Sequence, residues 1–121
     1  MMFQTELAKI ADIFKAFADP TRLRLIRLLA SNMEEKLSVS DLAKKLSITQ
    51  PAATQHLNIL KNIGILYSNK ERPRIFYYLN LDELKKQKTL LDQFYDLAFT
   101  KCDLEGQCET CQNREFCDSI K

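Results

Sequence analysis

Apolar residues recur at helical spacing at the start of the chain. At about 100° per residue one stripe runs through residues 3–17 and predicts an amphipathic helix; its members are Phe3, Leu7, Ile10, Phe14 and Phe17. Asp19-Pro20 then supplies a helix cap and a first-turn proline. A second helix is therefore predicted, ending near Asn32.

The middle of the chain predicts two short helices joined by a tight turn. Residues 31–40 form a connector, and Ser40 is predicted to cap the helix DLAKKL. Thr49 is predicted to cap the next helix, from about Gln50 to Asn62, and Gly64 to end it.

Pattern and composition change after residue 64. The segments ILYSN and RIFYYLN are rich in β-branched and aromatic residues and predict a β-hairpin across KERP. A fifth helix is predicted from about Leu81 to Phe99. The order α-α-α-α-β-β-α is a mainly α fold with a small β-hairpin, a winged helix-turn-helix. We expect residues 1–100 to form this domain and residues 101–121 a separate cysteine-rich appendage.

The predicted fourth helix has one apolar face and one polar face with little charge. Ala53, Leu57, Leu60 and Ile63 share the first face, whereas Thr54, Gln55 and Asn58 lie on the second. Amide and hydroxyl side chains can bond base edges in the major groove. A solvated polar face explains this helix alone equally well, and the neighbouring elements favour DNA.

Basic and helix-start residues complete a predicted DNA surface. The hairpin tip carries three cations that can contact phosphate or the minor groove, although a charged tip also serves solubility. The full set of predicted DNA-binding residues is Arg22, Ser38, Ser40, Thr49, Gln50, Pro51, Thr54, Gln55, Asn58, Lys61, Lys70, Arg72 and Arg74.

Composition excludes several classes of protein. Residues 1–100 hold 15 basic and 11 acidic side chains, a net charge of +4, too small an excess to prove a polyanion partner. No apolar run approaches the roughly 20 residues of a membrane span, and the N-terminus lacks a secretory pattern; we therefore expect a cytoplasmic protein. His56 is predicted to pack or to contact phosphate. The chain has no Gly-rich phosphate loop, so an enzyme is not predicted.

The last helix predicts more contact than one domain needs. Leu84, Leu91, Tyr95 and Ala98 form one stripe, and a second stripe lies beside it. Because a helix that is apolar on more than one side needs several partners, dimerisation is favoured over a wider contact within the chain.

Two segments carry a family resemblance over about residues 3–82. FKAFADPTRLRLIRLLA and LSVSDLAKKLSITQPAATQHLNILKNIGILYSNKERPRIFYYLN resemble the ArsR family of winged-helix repressors. The resemblance implies a homodimer joined by the first and last helices, with the fourth helix in the major groove of double-stranded DNA, and release by a metal or redox signal. The implied interface residues are Phe3, Leu7, Ile10, Phe14, Leu84, Leu91, Phe94, Tyr95 and Ala98.

The usual sensory sites of that family are missing. Serines 38 and 40 stand where thiols would bind a soft metal, and the last helix has no histidine. Any sensing must therefore use another place in the chain.

All four cysteines lie in the last 20 residues, as Cys102-x5-Cys108-x2-Cys111-x5-Cys117. Four thiolates can bind a [4Fe–4S] cluster, our first interpretation. The spacing resembles the cluster loop of endonuclease-III-type glycosylases and, in part, that of FNR-type oxygen sensors. Structural or sensory zinc is the second interpretation and disulfides the third.

These features predict a transcriptional repressor whose DNA affinity responds to the cysteine centre through the dimer interface. Two other classes stay open. One is a nucleic-acid enzyme, disfavoured because no catalytic pairing is evident. The other is a winged-helix protein-interaction module that does not read DNA.

Overall fold

The structure, a computed structural model, describes residues 4–99, which form five helices and one three-stranded antiparallel sheet. In chain order the elements are α1 (Gln4–Phe17), α2 (Pro20–Ser31), β1 (Leu37–Ser38), α3 (Val39–Leu46), α4 (Gln50–Asn62), β2 (Leu66–Glu71), β3 (Arg74–Leu79) and α5 (Leu81–Phe99). The predicted winged helix-turn-helix order is confirmed, with one added strand.

The added strand β1 moves the start of α3. Leu37 pairs with Tyr77 and Ser38 with Phe76, so the strand order is β1-β3-β2. The chain then enters α3 directly, and Ser38 caps it rather than Ser40. The prediction that Ser40 is the cap was wrong, because pairing with the distant β3 holds Ser38 in the extended conformation that a cap requires.

Local capping explains the start of α2 and the end of α4. The Asp19 carboxylate accepts hydrogen bonds from the backbone N–H of Thr21 at 2.8 Å and of Arg22 at 3.4 Å, and Pro20 occupies the first turn. At the other end of the motif Gly64 adopts φ +88°, a conformation that side chains disfavour, just after α4. Both predicted boundaries are confirmed.

The core lies between the helix-turn-helix and the sheet. Its main cluster combines residues of α2, α3 and α4 with the inner positions of β2 and β3. The largest fully buried side chains are Ile13, Leu25, Leu42, Leu57, Leu60 and Ile65. Burial of each stabilises the fold by about 1.5–3 kcal/mol, so the inner face of α4 is anchored and its outer face is left free. No helix between residues 4 and 99 is long and apolar enough to cross a membrane.

Candidate nucleic-acid interface

The turn between α3 and α4 is fixed by backbone geometry and one hydroxyl. Ser47 takes a left-handed conformation with φ 57°, and the N–H of Ile48 bonds to the carbonyl of Ala43 at 3.0 Å. The Thr49 hydroxyl then accepts a bond from the N–H of Ala52 at 3.3 Å. The predicted Thr49 cap is confirmed, and it sets the direction in which α4 leaves the turn.

The outer face of α4 is polar and nearly uncharged. Ala53, Leu57 and Leu60 are buried, whereas the predicted base-reading side chains lie on the other side of the helix. Of these, Gln50, Pro51, Gln55, Asn58 and Lys61 are exposed and Thr54 is half-buried. The outer face of α4 therefore offers amide and hydroxyl groups, the kinds of side chain that can bond base edges.

A groove of about 430 Å³ lies between the first turns of α3 and α4 and the start of β3. Its lining includes Lys44 of α3 and five predicted DNA-binding residues, Ser38, Ser40, Gln50, Thr54 and Arg74. Sequence reasoning missed Lys44. The exposed position of Lys44 on α3 was the available signal. That Lys44 lines the same groove as Arg74 depends on how the sheet packs.

The wing presents its cations at the tip. Lys70, Arg72 and Arg74 are all exposed around the turn between β2 and β3. On the strand before the turn, Glu71 is held by Lys36, whose ammonium lies 3.0 Å from the carboxylate and has its pKa raised by that hydrogen bond. With Glu71 neutralised, the tip is a basic surface.

One acid lies beside the groove, and its charge is already satisfied. The backbone N–H and hydroxyl of Ser38 donate to the Asp41 carboxylate at 3.0 and 2.9 Å. These bonds lower the pKa of Asp41, and the nearby cations Arg74 and Lys44 lower it further. Asp41 is thus ionised at neutral pH.

Two predicted phosphate contacts are occupied elsewhere. Ser38 is only 4% exposed and its hydroxyl is part of the capping box, although the residue belongs to the groove lining. The Arg22 guanidinium points to the end of α1, where its Nε donates to the carbonyl of Ala16 at 2.6 Å. Arg22 is not among the residues that line the groove.

The expected subunit contact has both buried and exposed members. Ile10 is 3% exposed within its own chain, so its assignment to an interface was wrong. Leu84 packs against the core cluster. Phe14 packs edge-on against Phe94, with ring centroids 6.4 Å apart, and remains 39% exposed. Leu7 and Leu91 are half-buried, and Tyr95 and Ala98 are exposed.

Several predicted residues lie outside the described part of the chain. They are Phe3 and the four cysteines, Cys102, Cys108, Cys111 and Cys117. Within residues 4–99 no group of three or more metal-binding side chains occurs.

Comparison with known proteins agrees with this geometry. Residues 19–68 match the family model of the arsR family of bacterial regulatory proteins. The chain is 44% identical to an uncharacterized HTH-type transcriptional regulator, MJ1325, of Methanocaldococcus jannaschii, over 70% of this chain and 93% of that protein. It is 35% identical to the transcriptional activator HlyU of Vibrio cholerae, over 73% of this chain and 79% of HlyU.

A solved structure shares the fold. It is an ArsR-like transcriptional regulator from Rhodococcus sp. RHA1, with a TM-score of 0.63 and 30% identity, covering 74% of this chain and 82% of that one. The matched family is one of transcriptional regulators rather than of enzymes. The chain belongs to the ArsR family of winged helix-turn-helix proteins and is a DNA-binding transcriptional regulator.

Proposed function

We propose that this chain is a homodimeric, sequence-specific repressor that reads double-stranded DNA with α4 and grips the backbone with its wing. The observation that carries the proposal is the exposed, uncharged polar face of α4 beside a groove flanked by cations. Gln50 and Thr54 of α4 line the same groove as Arg74 of the wing, which supports contact with one duplex.

The reading function rests on α4. Gln55 and Asn58 are exposed amides that can form bidentate bonds with adenine, and the Thr54 hydroxyl can bond or touch a thymine methyl. The buried Leu57 fixes the helix from behind, so these side chains keep their spacing. Such rigidity is what base readout demands.

Backbone affinity comes from the groove and the wing. Lys44 and Arg74 lie along the groove, and Lys70 and Arg72 extend the basic surface to the tip. Neutralising phosphates with these side chains releases counterions, so binding weakens as salt rises. Pro51, Thr49 and Ser40 complete the proposed contact near the helix starts, and Lys61 is held toward the wing by a 3.0 Å bond to the Ser68 hydroxyl.

Dimerisation rests on the aromatic surface of α1 and α5. Phe14 and Tyr95 are 39% and 48% exposed and Phe94 contacts both rings, so the surface is continuous across the two helices. Exposed aromatic groups of this kind are costly in water and favour a second copy. We propose Leu7, Leu91 and Ala98 as further contacts of that interface.

Repression is the proposed direction of regulation. A dimer that occupies its DNA site excludes other proteins from that site, which is repression. The 35% identical HlyU is a transcriptional activator, so activation is the alternative.

Replacing Thr54 and Gln55 by Ala tests the reading function. A preferred duplex is first selected from randomised DNA with the wild-type protein. Each lost base contact should cost about 1–3 kcal/mol, so affinity for that duplex falls while affinity for unrelated DNA stays the same. Thr89→Ala, an exposed threonine of α5, is the matched control and should bind like wild type. An unchanged ratio of specific to non-specific affinity contradicts the assignment.

A sensory centre is proposed for the four cysteines. Cys102, Cys108, Cys111 and Cys117 supply four thiolates, the ligand set of a [4Fe–4S] cluster, with zinc as the alternative. A cluster would supply a charge that changes with oxidation or loss. Cys102 follows Phe99, the end of α5, by three positions. A change at the thiolates would therefore act next to the proposed subunit contact and alter DNA affinity.

Metal content and colour distinguish a [4Fe–4S] cluster from zinc. We expect protein purified without oxygen to be brown, with broad absorbance near roughly 400 nm and iron and sulfide in equal amounts. Cys108→Ser with Cys111→Ser should lose the colour and change affinity for the selected duplex. Colourless protein with zinc favours the alternative metal. Equal DNA affinity of the loaded and stripped forms, at matched salt, contradicts a sensory role.

A further inference from the structure

The Arg22 side chain lies where α1, α2 and α4 meet. Its Nε donates to the Ala16 carbonyl at 2.6 Å and its Nη2 to the Lys15 carbonyl at 3.3 Å, both at the end of α1. Its Nη1 lies 3.3 Å from Nδ1 of His56 on α4 and 3.9 Å from the Asp19 carboxylate. Only 14% of the side chain is exposed. One guanidinium therefore connects three helices.

Only an arginine can make this set of bonds. The last carbonyls of a helix lack partners within it, and a cation near them is favourable. The planar guanidinium carries donors on several edges, whereas a lysine offers one compact ammonium. Nε and Nη2 of Arg22 donate to α1, and Nη1 faces α4. The side chain does not line the groove.

The partner on α4 must accept a hydrogen bond. Because a guanidinium only donates, a hydrogen bond at this 3.3 Å contact requires Nδ1 of His56 to be the acceptor. His56 directly follows Gln55 and is half-buried next to the fully buried Leu57. The bond therefore sets the rotation of α4 about its axis, and with it the direction of Thr54 and Gln55.

We propose that Arg22 is a positioning residue that fixes the reading helix α4 to the end of α1 through His56, and is not a phosphate contact. The inference rests on the proposed function. Since α1 also carries Phe14 of the proposed subunit contact, the same guanidinium sets the separation and angle of the two reading helices. A dimer that reads half-sites about one helical turn apart depends on that geometry.

Arg22→Lys and Arg22→Gln test the assignment on the selected duplex and on versions whose half-sites are one base pair closer or farther. Loss of a charged hydrogen-bond network should weaken binding to the native spacing by roughly tenfold or more and flatten the preference for that spacing. The salt slope should match wild type in both variants. Arg24→Gln, an exposed cation of the same helix, is the control for spacing. Binding is measured well below each variant's melting temperature.

Two His56 variants keep the test decisive if Arg22 variants fail to fold. Asn places an acceptor oxygen near the position of Nδ1, so His56→Asn should retain affinity and spacing preference, whereas His56→Leu should lose both. The opposite result, in which Arg22→Gln lowers the salt slope by about one and both His56 variants keep the native spacing, makes Arg22 a phosphate contact and overturns the proposal. Wild-type protein without any sequence preference contradicts the proposed function itself.

Discussion

At the scale of single residues, the first turn of α3 shows how one carboxylate sets a helix boundary. Asp41 accepts two bonds from Ser38, and the Ser38 hydroxyl accepts one in return from the Asp41 N–H at 3.2 Å. This capping box satisfies backbone donors that the helix leaves unpaired. The Ser38 hydroxyl is thereby engaged within the chain, and the start of α3 is fixed beside the groove.

The lowered pKa of Asp41 gives stability a defined pH dependence. The carboxyl titrates below its usual value of 3.8 because Ser38 bonds to its ionised form. A group with a lowered pKa in the folded state stabilises the protein above its unfolded pKa. This contribution is lost as pH falls through the folded pKa.

Asp41→Asn should remove that contribution. At neutral pH the weakened capping box costs about 0.5–2 kcal/mol, at the lower end because the bond from the residue 41 N–H to the Ser38 hydroxyl is kept and the site is partly open to solvent. Denaturant unfolding between about pH 6 and pH 3 should show a smaller fall in stability for the variant than for wild type. Glu34→Gln, an exposed acid between α2 and β1, is the control. Parallel pH profiles for Asp41→Asn and wild type contradict the account.

Some of these residue roles could be predicted from sequence and others could not. Asp19, Thr49 and Gly64 act on groups within three positions of themselves, so their capping roles follow from local sequence. Ser38 bonds to Asp41 three positions away, but its extended backbone comes from pairing with Phe76 of the distant β3. Arg22 takes its role from a partner that the fold brings close. The Arg22 partner His56 is 34 positions away, and no spacing rule identifies it.

At the scale of elements, apolar periodicity with a cap predicted the helices well. The predicted limits of α5, Leu81 and Phe99, are the observed ones, and those of α4 agree as well. The two-residue strand β1 was missed because it exists only through pairing with β3. β2 also continues to Glu71, two residues beyond the predicted strand, because Lys70 and Glu71 pair with Ile75 and Arg74.

The far end of the reading helix is held by α5. The Gln87 amide donates to the Ile63 carbonyl at 2.7 Å, and the side chain is 3% exposed. Its Oε1 has no hydrogen-bond partner among the described residues. A polar residue on the predicted last helix gave no sign of this burial, because the burial arises only when the end of α4 packs there.

At the scale of the whole molecule, the fold carries two separate surfaces, one around the groove and one where α1 packs on α5. The groove, α4 and the wing lie around the helix-turn-helix, whereas Phe14, Phe94 and Tyr95 lie where α1 packs on α5. The polar face of α4 was predictable from its sequence alone. The groove and the position of Lys44 in its lining could not be predicted, because both require the packing of α3, α4 and β3.

The most direct test of the central claim is a nuclease footprint of the wild-type protein on its selected duplex, with the mass of the complex measured in parallel. We predict two protected half-sites with centres about 10–10.5 base pairs apart, or a multiple of that spacing, bound by two copies of the chain. Protection without sequence preference, or one copy bound to a single half-site at saturation, would contradict the account.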